Sequence, residues 1–277
     1  MSYRLLAMDM DGTVLNSEKV ITPRTEAAIR AAIAAGKDVF FATGRSPMEV
    51  KKELSAFPEM NYAMFVSGAL VRDLKTGETV HSVHIPFPIV EKILDIGEKS
   101  RGFLGIYAGN NVYAEKKYRG HMGEYGCKCF EELYERCTIW VDDLREAAQE
   151  HREEVHKINF YFGNEEDYLA CGEELKKLPV TRASGIPHND EVSPCGVNKG
   201  EALLAMCEKL GIPVSETIAV GDQTNDLEMI RAAGLGVAMG NATEEVKAAA
   251  DVITADCDHD GVAEAIEMYL GKPVLKP

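Results

Sequence analysis

Asp9-Met10-Asp11-Gly12-Thr13-Val14 is the stretch on which the reading of this chain turns. It follows an apolar run, Leu5-Leu6-Ala7-Met8, of the kind shown by a strand buried on both faces. Two carboxylates and a glycine cannot continue such a strand. The chain therefore turns here, with both acids at the strand's carboxyl end and Gly12 easing the turn because it has no Cβ to clash. In open α/β sheets that edge is where ligands bind. Carboxylates this close repel each other unless a cation lies between them or one keeps its proton. Mg²⁺, a hard ion that takes oxygen ligands, suits them best. The plain alternative is a solvated turn, since Asp and Gly are ordinary turn residues.

The remainder of the chain bears on that choice. Its 277 residues suffice for one large domain or two modest ones. A net charge of -15 disfavours nucleic acid and anionic membrane as partners, and any phosphate substrate would need local cations to overcome that field. No apolar run reaches the length of a membrane span, and the N-terminus enters a strand with no room for a signal peptide. The seven cysteines form no C-x-x-C and read as reduced thiols, consistent with a cytoplasmic protein.

Beyond the opening turn, Thr22-Pro23 caps an Ala-rich helix that Gly36 ends. A second buried strand, 38–42, runs into Thr43-Gly44-Arg45, and Ser46-Pro47-Met48-Glu49 has the pattern of a helix start. A third strand, 62–66, makes this a parallel sheet with crossover helices. A hairpin follows, turning at Thr76-Gly77. From about 84 to 190 the texture changes, with more aromatics, a strand at 157–162 and helices near 88–100, 142–152 and 165–177. The βα rhythm resumes at Val197-Asn198-Lys199-Gly200, continues through a strand ending in Gly221-Asp222, and closes with a helix over about 260–270. The expected architecture is a doubly wound α/β core of residues 1–83 and 191–277, with 84–190 inserted as a second domain and a loose tail from Lys272. Asp9/Asp11, Thr43, Lys199 and Asp222/Asp226 then fall at one rim of the parallel sheet. There Asp9 and Asp222 can hold Mg²⁺, while Thr43 and Lys199 can hold a phosphate.

D-M-D-G-T-V, A-T-G-R, V-N-K-G and G-D-Q-T-N-D stand in the order of the four motifs of the haloacid dehalogenase superfamily, and the chain resembles its Cof-type phosphohydrolases over essentially its whole length. That resemblance implies a Rossmann-like core with an α+β cap at 84–190 that selects the substrate. It implies Asp9 as nucleophile, forming an aspartyl-phosphate, and Asp11 as general acid and base. It implies Mg²⁺ held by Asp9, the Asp11 carbonyl and Asp222, with Asp226 supporting them. Phosphoryl oxygens would be held by Thr43, Lys199, Asn225 and the amides of Met10 and Gly44. An acid at position 11 sets the chain apart from dehalogenase members, which lack one there, and implies fast hydrolysis of the phosphoenzyme, which ion-pumping relatives with a Thr at that place release slowly.

The expected activity is Mg²⁺-dependent hydrolysis of a small phosphomonoester, a sugar phosphate before others. The alternatives are a phosphomutase or a hydrolase of a nucleotide or cofactor phosphate. The expected state is monomer or weak homodimer, with a small phosphorylated metabolite as partner. Some residues carry a second reading. Asp226 can cap the helix it opens. Arg45 can meet substrate or pair with a surface carboxylate, and His188 can meet substrate or sit with Asn189 and Glu191 in a returning loop.

Overall fold

The computed structural model describes residues 2–270 and residue 272. The chain opens with Leu5–Met8 (β1), Pro23–Ala34 (α1), Asp38–Phe41 (β2), Lys51–Ser55 (α2), Tyr62–Phe65 (β3), Leu70–Asp73 (β4) and Thr79–Ser82 (β5). It continues with Phe87–Lys99 (α3), Phe103–Ala108 (β6), Asn111–Glu115 (β7), Glu131–Cys137 (α4), Thr138–Val141 (β8), Leu144–Glu150 (α5), Val155–Tyr161 (β9), Glu165–Leu175 (α6), Val180–Ala183 (β10) and Asn189–Pro194 (β11). It closes with Lys199–Leu210 (α7), Thr217–Gly221 (β12), Leu227–Ala232 (α8), Leu235–Ala238 (β13), Glu244–Ala249 (α9), Val252–Ile253 (β14) and Gly261–Tyr269 (α10). The expected loose tail lies, apart from Lys272, outside the described residues.

Two compact units form: Met1–Gly44, Glu53–Ser82 and Asn198–Pro277 make the first, Arg45–Lys52 and Val83–Val197 the second. In the first, a five-stranded sheet runs β14-β13-β12-β1-β2 with every pairing parallel. β1 is buried at all four positions, as a strand covered on both faces must be. Strand order reverses between β1 and β12: the chain leaves β1 for β2 on one side and returns through β12 to β13 and β14 on the other. Such a reversal opens a crevice at the carboxyl ends of the two middle strands. Asp9 follows β1 and Asp222 follows β12, so the topology brings two residues 213 positions apart to one place.

Two expectations for this stretch are corrected. The third strand does not extend the parallel sheet: β3 pairs antiparallel with β4 in a three-stranded sheet, and touches the strand before it through one isolated parallel bridge, Ala42 to Met64. The cause is the left-handed turn at Val66, Ser67 and Gly68, which sends the chain straight back beside β3. The capping contacts expected at Ser46 and Glu49 do form, with the Ser46 amide donating to Glu49 Oε2 at 2.6 Å and the Glu49 amide to Ser46 Oγ at 3.4 Å. They open only turns, and α2 is confined to the five residues Lys51–Ser55.

The second unit is built on a six-stranded sheet, β10-β11-β9-β6-β7-β8, antiparallel except for the β7–β8 pair. One face is apolar: Leu104, Ile106, Ile158 and Phe160 pack against Val90, Ile93, Leu94, Leu144, Ala148 and Leu175 from α3, α5 and α6. The three helices agree with the sequence expectation to within two residues, and the strand at 157–162 begins two residues earlier. Of the segment at 188–191 only His188 lies in a turn, with φ at +56; the rest is strand. Asn189, Glu191 and Val192 belong to β11, which pairs with both β9 and β10, so the unit runs on to Val197 rather than stopping at 190. All seven cysteines are free, and among the described residues no helix is long and apolar enough to cross a membrane.

Candidate active site

Past the last residue of β1, Asp9, Met10 and Asp11 enter a tight turn that the backbone closes on itself. The Leu15 amide donates to the Met10 carbonyl at 2.8 Å and the Gly12 amide to the Leu15 carbonyl at 3.2 Å. Gly12 sits at φ +80, where L side chains are strained, and a Cβ there would come 2.6 Å from Asp222 Oδ2. Both the turn and the close approach require glycine.

Asp9, Asp222 and Asp226 are buried, and each presents a carboxylate oxygen within 4.8 Å of the others. One cation stands among them. Lys199, the first residue of α7 and fully buried, donates to Asp9 Oδ1 at 2.5 Å and to Asp226 Oδ1 at 2.6 Å. The helix is opened by Asn198, whose side chain accepts from the Glu201 amide at 2.9 Å, which aims Lys199 at the cluster. Burial alone would drive the Lys199 ammonium down, but Asp226 and Asp9 outweigh it and hold its pKa above the usual range. Burial raises Asp9 well above the ordinary carboxylate range, with Lys199 opposing and Asp226 and Asp222 adding to the rise. Burial likewise pushes Asp222 up to about 6, against a hydrogen bond from Thr13 that favours its charged form. Three carboxylates against one ammonium leave an excess of negative charge in a place shielded from water. The donors are all hard oxygens, so the residues fit a small divalent cation such as Mg²⁺.

The acids differ in how much of each is committed. Asp226 Oδ2 accepts from the amides of Asp222 and Gln223, at 2.9 and 3.0 Å, and its Oδ1 accepts from Lys199. It thus closes the turn that precedes it and braces the lysine, and the expected cap on the following helix does not form, since its side chain makes no capping hydrogen bond to α8. Asp11 stands outside the cluster: its side chain is 38% exposed and its Oδ1 accepts from Lys19 Nζ at 3.1 Å.

The remaining candidates fall into two groups. Thr43 is buried; its amide donates to the Met64 carbonyl and its carbonyl accepts from the Ser67 amide, both at 2.9 Å. Gly44 lies against Ser67 Oγ, and Gly68 packs on the backbone of Asn198, so the left-handed turn joins Thr43-Gly44 to the start of α7. Met10 is buried beside Asp9, whereas Asn225 is exposed on the turn Thr224–Asp226. Arg45 and His188 belong to the second unit. Arg45 is half-buried near Glu49, and the His188 ring lies 5.9 Å from the Tyr168 ring.

Three contributors escaped the sequence reading. Thr13 Oγ1 donates to Asp222 Oδ1 at 2.9 Å, and Gln223 Nε2 donates to Asp222 Oδ2 at 3.1 Å. Asn241 Nδ2 donates to the Gly12 carbonyl at 2.8 Å and reaches Asp222 Oδ2 at 3.5 Å. Thr13 and Gln223 adjoin motif acids and could have been suspected. Asn241 stands in the cap-like stretch Asn241-Ala242-Thr243-Glu244, and nothing local distinguishes such a residue from a brace on one nineteen positions away.

The family model described as haloacid dehalogenase-like hydrolase matches residues 6–266. The chain is 31% identical over 290 residues to the phosphatase YwpJ of Bacillus subtilis, covering 96% of this chain and all of that one. It is also 31% identical, over 274 residues and 96% of both chains, to the 5-amino-6-(5-phospho-D-ribitylamino)uracil phosphatase YcsE of the same organism. Among solved structures, the subclass IIB sugar phosphatase BT4131 superposes with a TM-score of 0.79 at 28% identity, covering 95% of this chain and 98% of that one.

Proposed function

This chain belongs to the haloacid dehalogenase-like hydrolases and is a phosphatase, and from that premise we propose that it hydrolyses a small phosphomonoester, a sugar phosphate before others, with Mg²⁺ as its cofactor. The observation that carries the reading is the buried cluster of Asp9, Asp222 and Asp226 around Lys199, an excess of oxygen ligands beside a nucleophile and a fixed cation. Relatives named sugar phosphatase and ribitylaminouracil phosphatase point to a substrate whose phosphoryl group is carried on a hydroxylated carbon chain.

The roles are those the family resemblance implies, and the geometry supports several of them. Lys199 occupies Asp9 Oδ1, which leaves Oδ2 to attack phosphorus and form the aspartyl-phosphate. Asp11, exposed enough to meet solvent and substrate, gives a proton to the departing oxygen and then takes one from the attacking water. Lys199 adds a fixed positive charge for the equatorial phosphoryl oxygens, joined by the Thr43 hydroxyl, Asn225 and the amides of Met10 and Gly44. Asp9, the Asp11 carbonyl and Asp222 would hold the ion. Thr13, Gln223 and Asn241 keep Asp222 in place, and Asp226 braces both Lys199 and the turn. When bound, the ion supplies Lewis-acid charge that screens Asp9 from its anionic substrate. These groups address only the phosphoryl end, so selectivity among phosphomonoesters is assigned to the second unit.

Replacing Asp9 by Asn tests the reading. Turnover of p-nitrophenyl phosphate should fall by on the order of 10⁴ or more, as for other covalent-catalysis groups. Activity within tenfold of wild type would exclude Asp9 as nucleophile.

A further inference from the structure

Two turns follow β1 in close succession, both within the first unit. The first holds the backbone of Asp11 between the two hydrogen bonds that link Met10, Gly12 and Leu15. The second runs from Asn16 to Val20. There the Asn16 amide donates to the Val20 carbonyl at 3.1 Å and the Lys19 amide to the Asn16 carbonyl at 2.9 Å. Asn16 Oδ1 accepts from the amides of Glu18 and Val20, at 3.1 and 3.0 Å. The Ser17 amide donates to Asp258 Oδ1 at 2.9 Å, which ties this turn to the segment Cys257–His259 before α10. The turn is therefore fixed from within and from one side.

Within it Lys19 alone has left-handed backbone, at φ +59. Glycine takes that conformation without strain, and Asn or Asp can offset it with a short local hydrogen bond, but a lysine has no such relief. Its side chain instead reaches back over both turns and donates to Asp11 Oδ1 at 3.1 Å. Strained residues persist only where the surrounding structure over-determines them, and they gather where their side chains are used. Stability is not the use here. The two side chains are 62% and 38% exposed, and ion pairs so open to water contribute little to it. What the contact does fix is the direction in which the Asp11 carboxyl faces. An ammonium only donates, so the oxygen it holds is an acceptor, and a proton carried by Asp11 belongs on Oδ2.

We propose that Lys19 is a positioning residue for the general acid, holding Asp11 Oδ1 so that Oδ2 delivers the proton to the departing oxygen. The inference rests on the phosphatase reading and adds to it the residue that aims Asp11. As the bond from Asp9 Oδ2 to phosphorus forms, the bond from phosphorus to the ester oxygen breaks. That oxygen keeps the electron pair and takes the proton from Asp11 Oδ2. When water attacks the aspartyl-phosphate, Oδ2 takes a proton from it, and the Asp9–phosphorus bond breaks with its electrons returning to Asp9. Lys19 touches neither transfer directly and acts on both through the orientation of one carboxyl group.

Phenyl phosphate and p-nitrophenyl phosphate test this, being close in shape and unlike in leaving group. Phenolate is the poorer of the two, so its departure depends on the proton far more than that of p-nitrophenolate. The quantity read is kcat/KM at saturating Mg²⁺, which covers the steps through loss of the leaving group. Lys19→Met should lose at least about tenfold more on phenyl phosphate than on p-nitrophenyl phosphate, a part of the 10² or more that a placed general acid supplies. Lys19→Arg keeps a donor and should recover most of that difference. Lys19→Gly should show the same selective loss while its Tm stays level or rises, since it sheds the left-handed strain. Equal losses on both esters with a lowered Tm would mark Lys19 as structural and overturn the proposal. So would unchanged rates in Lys19→Met, or Lys19→Arg no better than Lys19→Met. A wild-type chain that turns over p-nitrophenyl phosphate but not phenyl phosphate presents no proton to the leaving oxygen and overturns the inference alone. One inert toward both would refute the phosphatase chemistry, and the inference with it.

Discussion

Gly12→Ala is the substitution on which the geometry of the carboxylate cluster can be judged most sharply. A Cβ at this position would lie 2.6 Å from Asp222 Oδ2. Ordinary contact begins at 3.4 Å, so the carboxylate would have to retreat by 3.4 minus 2.6, about 0.8 Å. It cannot do so freely, because Thr13 Oγ1 and Gln223 Nε2 hold it at 2.9 and 3.1 Å. The residue would also be pinned at φ +80, which costs an alanine roughly 1–2 kcal/mol. Losing one of the two hydrogen bonds adds about 1 kcal/mol. A drop in Tm of several degrees is expected, at roughly 2–4 °C per kcal/mol for a chain of this size. The larger effect is on rate, since misplacing a group in the site by about 1 Å costs on the order of 10². Steady-state rates on p-nitrophenyl phosphate across a Mg²⁺ titration, with thermal melts alongside, read both. The variant should need more Mg²⁺ and turn over about 100-fold more slowly at saturation. A variant with kcat within threefold of wild type and an unchanged Mg²⁺ requirement would refute the claim that Asp222 must stand where Gly12 allows it.

Chelation with EDTA should abolish activity, and Mg²⁺ should restore it better than Ca²⁺, whose looser and larger shell suits this compact oxygen cluster less well; full activity after exhaustive chelation would contradict the metal assignment. Asn241→Ala removes a brace rather than a ligand, so the Mg²⁺ concentration for half-maximal activity should rise by up to about tenfold while the melt barely moves; an unaltered Mg²⁺ curve would mean the brace is idle. Glu49 supplies a pH test. Burial holds its pKa above the ordinary value, with the Ser46 hydrogen bonds and the charges of Lys157 and Arg45 opposing and Tyr107 donating to it. A carboxyl raised in the folded state contributes stability that is present below the unfolded pKa, near 4.3, and lost as pH rises through the folded one. The Tm of Glu49→Gln should therefore gain on that of wild type as pH rises above about 4.3, and parallel Tm curves would count against the raised pKa.

Local chemistry made much of the core legible from the chain alone. Four consecutive apolar residues before Asp9 could only be a doubly covered strand, and the D-x-D-G turn had to follow it. The cap at Thr22 and the stop at Gly36 are decided within a few residues, and the structure shows both. The motif acids and Lys199 were found for the same reason, since each interrupts an apolar strand or opens a helix.

What the chain could not reveal depends on pairing over distance. β3 looks like another parallel strand until the left-handed turn at Val66 folds β4 back onto it. Asn241 acquires its contact with Gly12 only when β13 is laid beside β12. In the second unit β9 is buried at all seven positions, so burial shows no alternation along it. Its apolar and polar faces separate only when β6 and β11 are set in register on either side. The sequence carries such groups one strand at a time, and the sheet alone decides which of them meet.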